Sequence, residues 1–139
     1  MAITQAICTS FKSELLNKEH DMDTDTFKIA LYTSSASLDS TTTVYSATNE
    51  TSGAGYTAGG VAMAGGAIAT SGTTAYVDFD DPEWTSASFT AAGALIYNTS
   101  NANTAVMVLD FGGDFTVTGG TFTIVLPAAD ASNALMRLA

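Results

Sequence analysis

One change in the spacing of apolar residues constrains the fold of this chain more than any other feature. Ile3, Ile7, Phe11 and Leu15 recur at every fourth position, which places them on one stripe of a helix. From residue 27 onward the spacing falls to two, the period of a strand with one buried face. The sequence therefore predicts a single short helix over about residues 3–17, followed by a β domain on which this helix docks.

Alternating apolar and polar residues indicate three of the strands, and two nearly continuous apolar runs indicate strands buried on both faces. The alternating stretches are 27–32, 75–79 and 121–126, the apolar runs are 94–97 and 104–111, and a short closing strand is expected at 135–138. Turn residues separate them at 98–103, 112–114 and 119–120. We therefore expect an all-β sandwich or barrel-like domain with one N-terminal helix, as a single unit over residues 1–139.

Residues 34–74 depart from this pattern because Ser, Thr, Ala and Gly dominate them. Two weak strands are expected within this segment, near 42–46 and 60–69. Structureless loops of this length are uncommon inside a small domain. We interpret the segment as an extended arm or loop that gains its order from a neighbouring subunit.

The charge balance excludes several classes of partner. The chain has 14 acidic and 4 basic residues and a net charge of −10, whereas nucleic acids and anionic membranes are bound through Lys and Arg. No apolar run is long enough for a transmembrane helix, and no signal peptide is recognisable. The sequence predicts a protein made in a reducing cytosol, in which the single cysteine, Cys8, is a small buried residue.

Three aspartates after the helix have the spacing of a calcium loop. Asp21, Asp23 and Asp25 match its opening, but Thr26 and Tyr32 stand where the glycine and the bidentate glutamate are required. We interpret the stretch as an acidic, solvated turn and keep a cation site as the alternative.

A second acidic cluster, 78–83, flanks Pro82 and contains four carboxylates. Such a cluster can hold a divalent cation, or it can protect an edge strand from unwanted pairing. We favour the protective role. Trp84 follows directly, and as the only tryptophan it is either a core residue or an interface anchor.

The inventory of catalytic and cofactor-binding groups is nearly empty. His20 is the only histidine, and no serine lies in a nucleophile elbow beside it. The glycine-rich stretch 53–60 is followed by Val61 where a phosphate-binding loop needs lysine. We expect no enzymatic activity, no cofactor and no resident metal.

Several stretches of the chain resemble a known class of protein. These are "AITQAICTSFKSELLNKEHD", "DTFKIALYTSSASL", "YSATNETSGAGYTAGG", "GALIYNTSNANTAVMVLDFGGDFTVTGGTFTIVLPAAD" and the closing "NALMRLA". In this order they resemble a small virion structural protein of tailed double-stranded-DNA bacteriophages, over nearly the whole chain. The resemblance implies a component of the phage particle that is made in the host cytoplasm and added during assembly.

Within that class, the role that the resemblance favours is a capsid decoration or cement protein on the exterior of the head. Its partner would be the major capsid protein or another virion protein, and a homotrimer is the favoured state. A neck, tail or tail-fibre subunit, including a module that binds a host receptor or glycan, is the alternative. The residues that we expect at the contacts are Ile7, Phe11, Tyr56, Gly59, Gly60 and Trp84.

Overall fold

A computed structural model describes residues 2–138 and places them in two antiparallel sheets with one helix. The elements are β1 Ala6–Ile7, α1 Thr9–Leu16, β2 Phe27–Tyr32, β3 Val61–Ala62, β4 Ala67–Ser71, β5 Thr74–Asp78, β6 Glu83–Asn98, β7 Thr104–Thr123 and β8 Met136–Leu138. The larger sheet has the order β1-β7-β6-β2-β3, and the smaller sheet has the order β4-β5-β8. The predicted fold class, an all-β domain with one short helix, is confirmed.

A long hairpin of β6 and β7 forms the centre of the molecule. Near its turn at 98–103, residues 93–98 of β6 pair with residues 104–110 of β7. We call this part the proximal half, and the remainder, residues 83–91 and 115–123, the distal half. The proximal half is buried on both faces, and its two edges are paired, with β2 along β6 and residues 6–8 along β7. This burial confirms the prediction of two inner strands from their continuous apolar runs.

The two sheets share one apolar core. Phe27 of β2 contacts Phe79, directly after β5, with ring centroids 5.9 Å apart. Val77 and Met136 of the smaller sheet join the same cluster of buried side chains. The arrangement is sandwich-like, with burial of apolar surface holding the sheets together.

The N-terminal segment differs from the prediction. The helix covers only Thr9–Leu16, whereas residues 2–8 are extended: Ile3 forms a parallel bridge with Leu38, and Ala6–Ile7 pairs with β7. The spacing of four is shared by both conformations, because Ile3 and Ile7 bury themselves on a sheet edge and Phe11 does so on the helix. The backbone groups at the edge of β7 need partners, and pairing with them outweighs a weak local preference for helix.

Residues 34–60, the larger part of the predicted arm or loop 34–74, pack on their own chain. Leu38 and Thr51 are buried, and Ser88 of β6 donates its backbone N–H to the carbonyl of Ala54. The approach is so close that a Cβ at Gly53 would lie 2.4 Å from the carbonyl oxygen of Ser88. Glycine is therefore required for contact here and does not indicate a flexible arm. The strand predicted near 42–46 is reduced to one bridge at Val44, and the one near 60–69 becomes β3 and the start of β4.

Within residues 2–138, no helix has both the length and the apolar character that crossing a membrane requires.

Candidate functional site

Two of the expected contact residues lie in the interior of the chain. Phe11 and Trp84 are 1% and 2% exposed. Phe11 packs on the ring of His20, and Trp84 packs against Phe122. Their apolar surface is already used within the chain, so in this structure neither side chain is available to a partner.

The glycines and the tyrosine of the same expectation also make internal contacts. Gly60 leaves no room for a side chain, since a Cβ there would lie 1.8 Å from the carbonyl oxygen of Ile29. Gly59 is buried and accepts a hydrogen bond from the Tyr97 hydroxyl at 2.6 Å. The Tyr56 hydroxyl accepts a hydrogen bond from the backbone N–H of Leu31. All three residues therefore have contacts within the chain, and their role at a partner surface stays a prediction.

One apolar feature of the surface is a patch of large side chains on β7 and the segment that follows it. We call it the phenylalanine face, and it consists of Phe111, Phe115, Phe122, Ile124 and Val125. Phe115 and Val125 are 53% and 77% exposed. A cluster of exposed aromatic and aliphatic side chains of this kind is typical of a protein-docking surface.

The phenylalanine face is anchored to the core by aromatic rings in tilted and edge-to-face contact. Phe122 contacts Phe89 with centroids 5.3 Å apart, and Phe111 lies 6.1 Å from Phe122 and 6.2 Å from Phe115. Because the inner rings are fixed by packing, the outer ring is presented by a rigid support. Rigid presentation lowers the entropy cost of docking.

Two adjoining grooves run along this face. One, of about 250 Å³, is lined by Phe111, Phe115, Phe122, Thr123, Ile124 and Val125. The other, of about 430 Å³, shares Phe111, Ile124 and Val125 and continues past Met107, Leu126 and Leu135 to Ile7 of β1. Ile7 is thus the one expected contact residue that the structure places at this surface.

The backbone beside the phenylalanine face has an open edge. Residues 115–117 of β7 pair with β6 on one side, and no strand lies on their other side in the part of the chain that the structure describes. Phe115, Thr116 and Thr118 are exposed. The N–H and C=O groups on this side are therefore open to a partner strand.

A tyrosine cluster, which consists of Tyr32, Tyr45, Tyr56 and Tyr97 around Glu50, fixes the segment 43–60. Glu50 accepts hydrogen bonds from the hydroxyls of Tyr45 at 2.7 Å and Tyr56 at 2.5 Å, and from the backbone N–H of Gly59 at 2.7 Å. Tyr45 also stacks on Tyr97, with centroids 4.7 Å apart. One carboxylate with three donors makes this a hydrogen-bonded network that holds the segment in place.

Burial and the Glu50 charge raise the pKa of every phenol in this cluster. Burial is the main cause for Tyr32, Tyr45, Tyr56 and Tyr97. For Tyr45 and Tyr56 the hydrogen bond to Glu50 adds to it, since the phenol must keep its proton to donate. All four hydroxyls therefore stay protonated at neutral pH.

Cys8 is fully buried where β1 ends and α1 begins. Burial, with smaller contributions from the charges of Asp39 and Glu14, raises the pKa of its thiol to about 11. The thiolate is the reactive form. Cys8 is therefore an unreactive core residue, as the sequence predicts.

The aspartates at 21–25 are occupied by hydrogen bonds within their own turn. Asp21 Oδ1 accepts from the backbone N–H groups of Asp23 and Thr24, which lowers the pKa of that carboxyl. Asp25 Oδ2 accepts from the Asp21 backbone N–H and from the side chain of Asn98. The turn is self-capped, which agrees with the interpretation as an acidic, solvated turn.

The second acidic cluster divides between a strand and a loop. Asp81 accepts a hydrogen bond from the backbone N–H of Leu126 at 2.8 Å, and Glu83 begins β6 opposite Thr123. Across residues 2–138, no three or more His, Cys, Asp or Glu side chains come together in a way that could hold a metal ion.

His20 has a structural environment. Its ring is buried on Phe11 and lies 3.2 Å from Glu14 Oε1 through Nε2 and 2.9 Å from Asn98 Nδ2 through Nδ1. Asn98 Nδ2 is a donor, so Nδ1 is the accepting nitrogen and Nε2 carries the proton. These contacts join the end of α1 to the turn of the long hairpin.

Comparison with protein-family models, with curated protein sequences and with solved structures gives no match for this chain. The resemblance to a virion protein of tailed bacteriophages therefore stays a prediction.

Proposed function

We propose that the chain is a structural virion protein of a tailed bacteriophage, in the class of capsid decoration proteins, and that it docks on the major capsid protein through the phenylalanine face. The single observation that supports docking is the rigid, exposed aromatic and aliphatic patch with its two grooves. The resemblance of the sequence supplies the virion setting. The proposal places the protein on the head exterior after synthesis in the host cytoplasm.

A small interface on each capsid subunit is sufficient for stable attachment, because the capsid presents the same site many times. An ordinary protein interface buries about 800 Å² per partner, and its energy is concentrated in a few aromatic anchors. Phe115 and Val125 have the exposure needed for such anchors. Each site need only be of moderate affinity, because a homo-oligomer of the chain would engage several capsid subunits at once.

Quantitative mass spectrometry of particles, purified from the phage or induced host strain that carries the gene, tests this function. We expect copies on the order of hundreds per particle, as repetition over a shell requires. About a dozen copies or fewer would instead indicate a neck, tail or fibre subunit. Absence from purified particles would contradict a virion role altogether.

A second measurement tests the docking surface, independently of where the protein lies in the particle. Expanded heads assembled without the chain are mixed with purified wild-type protein, with Phe115→Ser or with Ile68→Thr, and the bound protein is quantified after sedimentation. Ile68 is 50% exposed on β4, outside the grooves of the phenylalanine face, and serves as the matched control. We expect wild-type and Ile68→Thr to bind alike and Phe115→Ser to bind at least about tenfold more weakly. Equal binding of all three would contradict docking through this face.

A further inference from the structure

We propose that the occupant of the phenylalanine face is a short extended segment of a different polypeptide, with apolar side chains flanked by Lys or Arg. This inference deepens the proposed function, since it rests on the same face and names the chemistry of its partner. Three properties of the face support it: the shape of the grooves, the open backbone edge and the sign of the surrounding charge.

The size and lining of the grooves favour apolar side chains of an extended segment over those of a helix. Groove volumes of about 250 and 430 Å³ accommodate a few side chains rather than a helix face. Phe111, Ile124 and Val125 line both grooves, so a single chain lying across them would place successive inward side chains in each. An extended segment does this naturally, because alternate residues point to the same side.

The open edge gives this segment backbone partners and limits its length. Residues 115–117 form a regular pairing with β6 and leave their outer side free. On both sides of this stretch the ladder is interrupted: residues 111–114 have no paired partner across from them, and Gly119 has a φ of +57°. These irregularities stop a long sheet from growing here. The partner strand is therefore restricted to a few residues.

The charge around the face is acidic. Asp110 lines the larger groove, Asp114 lies between two residues of the face, and Asp81 holds the backbone of Leu126 beside it. Among the described residues, none of the four basic side chains lines either groove. A partner with Lys or Arg at its flanks would complement these carboxylates.

The same charge argues against a second copy of the chain. A symmetric contact through this face would bring Asp110 and Asp114 of one copy close to those of the other. Like charges facing each other across an interface are unfavourable. A homo-oligomer of this protein would therefore use another surface.

Binding of designed peptides tests the inference without any virion. One peptide alternates valine and threonine and has two lysines at each end, and its matched control replaces every lysine with glutamate. Binding to the full chain is measured by calorimetry at low and at high salt, with wild-type protein, Val125→Ser, the double variant Asp110→Asn and Asp114→Asn, and Ile68→Thr. Circular dichroism confirms that each variant is folded.

We expect the lysine peptide to bind wild-type and Ile68→Thr equally, and to bind Val125→Ser about tenfold more weakly. The double variant Asp110→Asn and Asp114→Asn should bind the lysine peptide roughly three- to tenfold more weakly than wild type, and its affinity should depend much less on salt. The glutamate peptide should bind at least about tenfold more weakly than the lysine peptide. Equal binding of both peptides, no binding of the lysine peptide, or dimerisation of the chain through Val125 would overturn the inference. Peptide binding together with absence from virions would leave this inference standing and contradict only the proposed function.

Discussion

The two borders of the distal half of the hairpin differ in whether another segment of the chain covers them. Along β6, residues 53–54 close the border, because Gly53 packs against Ser88 and the backbone N–H of Ser88 donates to Ala54. The tyrosine cluster on Glu50 fixes the rest of the segment 43–60. Along β7, residues 115–117 have no strand on their outer side within residues 2–138, and they carry exposed Phe115. One border is sealed by the chain itself, and the other is left open.

This difference shows how one strand pair can serve both stability and docking. Sealing the β6 border removes an edge on which the chain would otherwise aggregate. The β7 border keeps apolar side chains exposed, which is unfavourable for an isolated chain and useful for one that meets a partner. Substitutions at the sealed border should therefore cost the most stability, and substitutions at the open border the least.

Replacing Gly60 with alanine should cause the largest loss of stability. A Cβ there meets the Ile29 carbonyl at 1.8 Å, and the φ of +81° is unfavourable for alanine. We expect a loss of about 3 kcal/mol or more in the free energy of unfolding, measured by urea titration with Trp84 fluorescence. Gly72→Ala is the control, since its φ is +60° but no atom lies within 4 Å. It should lose only about 1 kcal/mol, and equal losses would contradict the close approach at Gly60.

Alkaline pH should cause the second largest loss of stability, through the tyrosine cluster. The folded state raises the pKa of the four phenols of the tyrosine cluster above the ordinary value of 10.0, so the unfolded chain releases their protons first. The folded state then binds more protons, and stability must fall as pH rises through that region. Each fully shielded phenol contributes up to about 1.4 kcal/mol per pH unit.

Solvent reduces the alkaline effect for partly exposed Tyr45. We therefore expect a total loss of about 2 kcal/mol between pH about 8 and about 10.5. Urea titrations at a series of pH values measure it. The variant Tyr56→Phe should show a smaller slope, and a stability that stays constant up to pH about 11 would contradict the network.

Glu50→Gln should have an intermediate effect. The substitution keeps the size of the side chain but replaces one accepting oxygen with a donor, facing hydroxyls that already donate. We expect a loss of about 1.5 kcal/mol, in the range for hydrogen bonds to a charged group. Exposed Glu19→Gln is the control and should change stability by less than about 0.5 kcal/mol. A Glu50 variant as stable as this control would show that the three hydrogen bonds do not hold the segment.

Val125→Thr should have the smallest effect on the isolated chain. Val125 is 77% exposed, so its removal leaves no cavity, and we expect a change within about 0.5 kcal/mol of wild type. Thermal or urea unfolding measures it. A loss above about 1 kcal/mol would show that the phenylalanine face is part of the folded core and not an open surface.

The strands of the proximal half could be predicted from sequence because burial of both faces leaves a clear apolar run, and β2 could be predicted from the alternation of residues over 27–32. The start of the helix could not. Ile3 and Ile7 fit a helical stripe and a sheet edge equally, and only the position of β7 in space decides between them. The role of each glycine is also difficult to predict from sequence, since Gly53 allows close packing while the same residue type elsewhere permits a turn.

The phenylalanine face was missed because its residues lie on both sides of what the sequence indicates as turns. Residues 112–114 and 119–120 are irregularities within one strand, not connections between strands. Phe111, Phe115 and Phe122 are spaced too irregularly for a strand period to group them. The sequence allows Trp84 to be either a core residue or an interface anchor. No local sequence pattern distinguishes these two positions for a single tryptophan.

The burial of Cys8 has a practical consequence for locating the protein in a larger assembly. Because this is the only cysteine of the chain and its thiol has a pKa of about 11, maleimide reagents at neutral pH should leave it untouched. A cysteine introduced at exposed Thr118 would then accept a fluorophore or a heavy-atom cluster selectively, beside the surface in question. Shielding of that label upon assembly would report directly which side of the molecule turns inward.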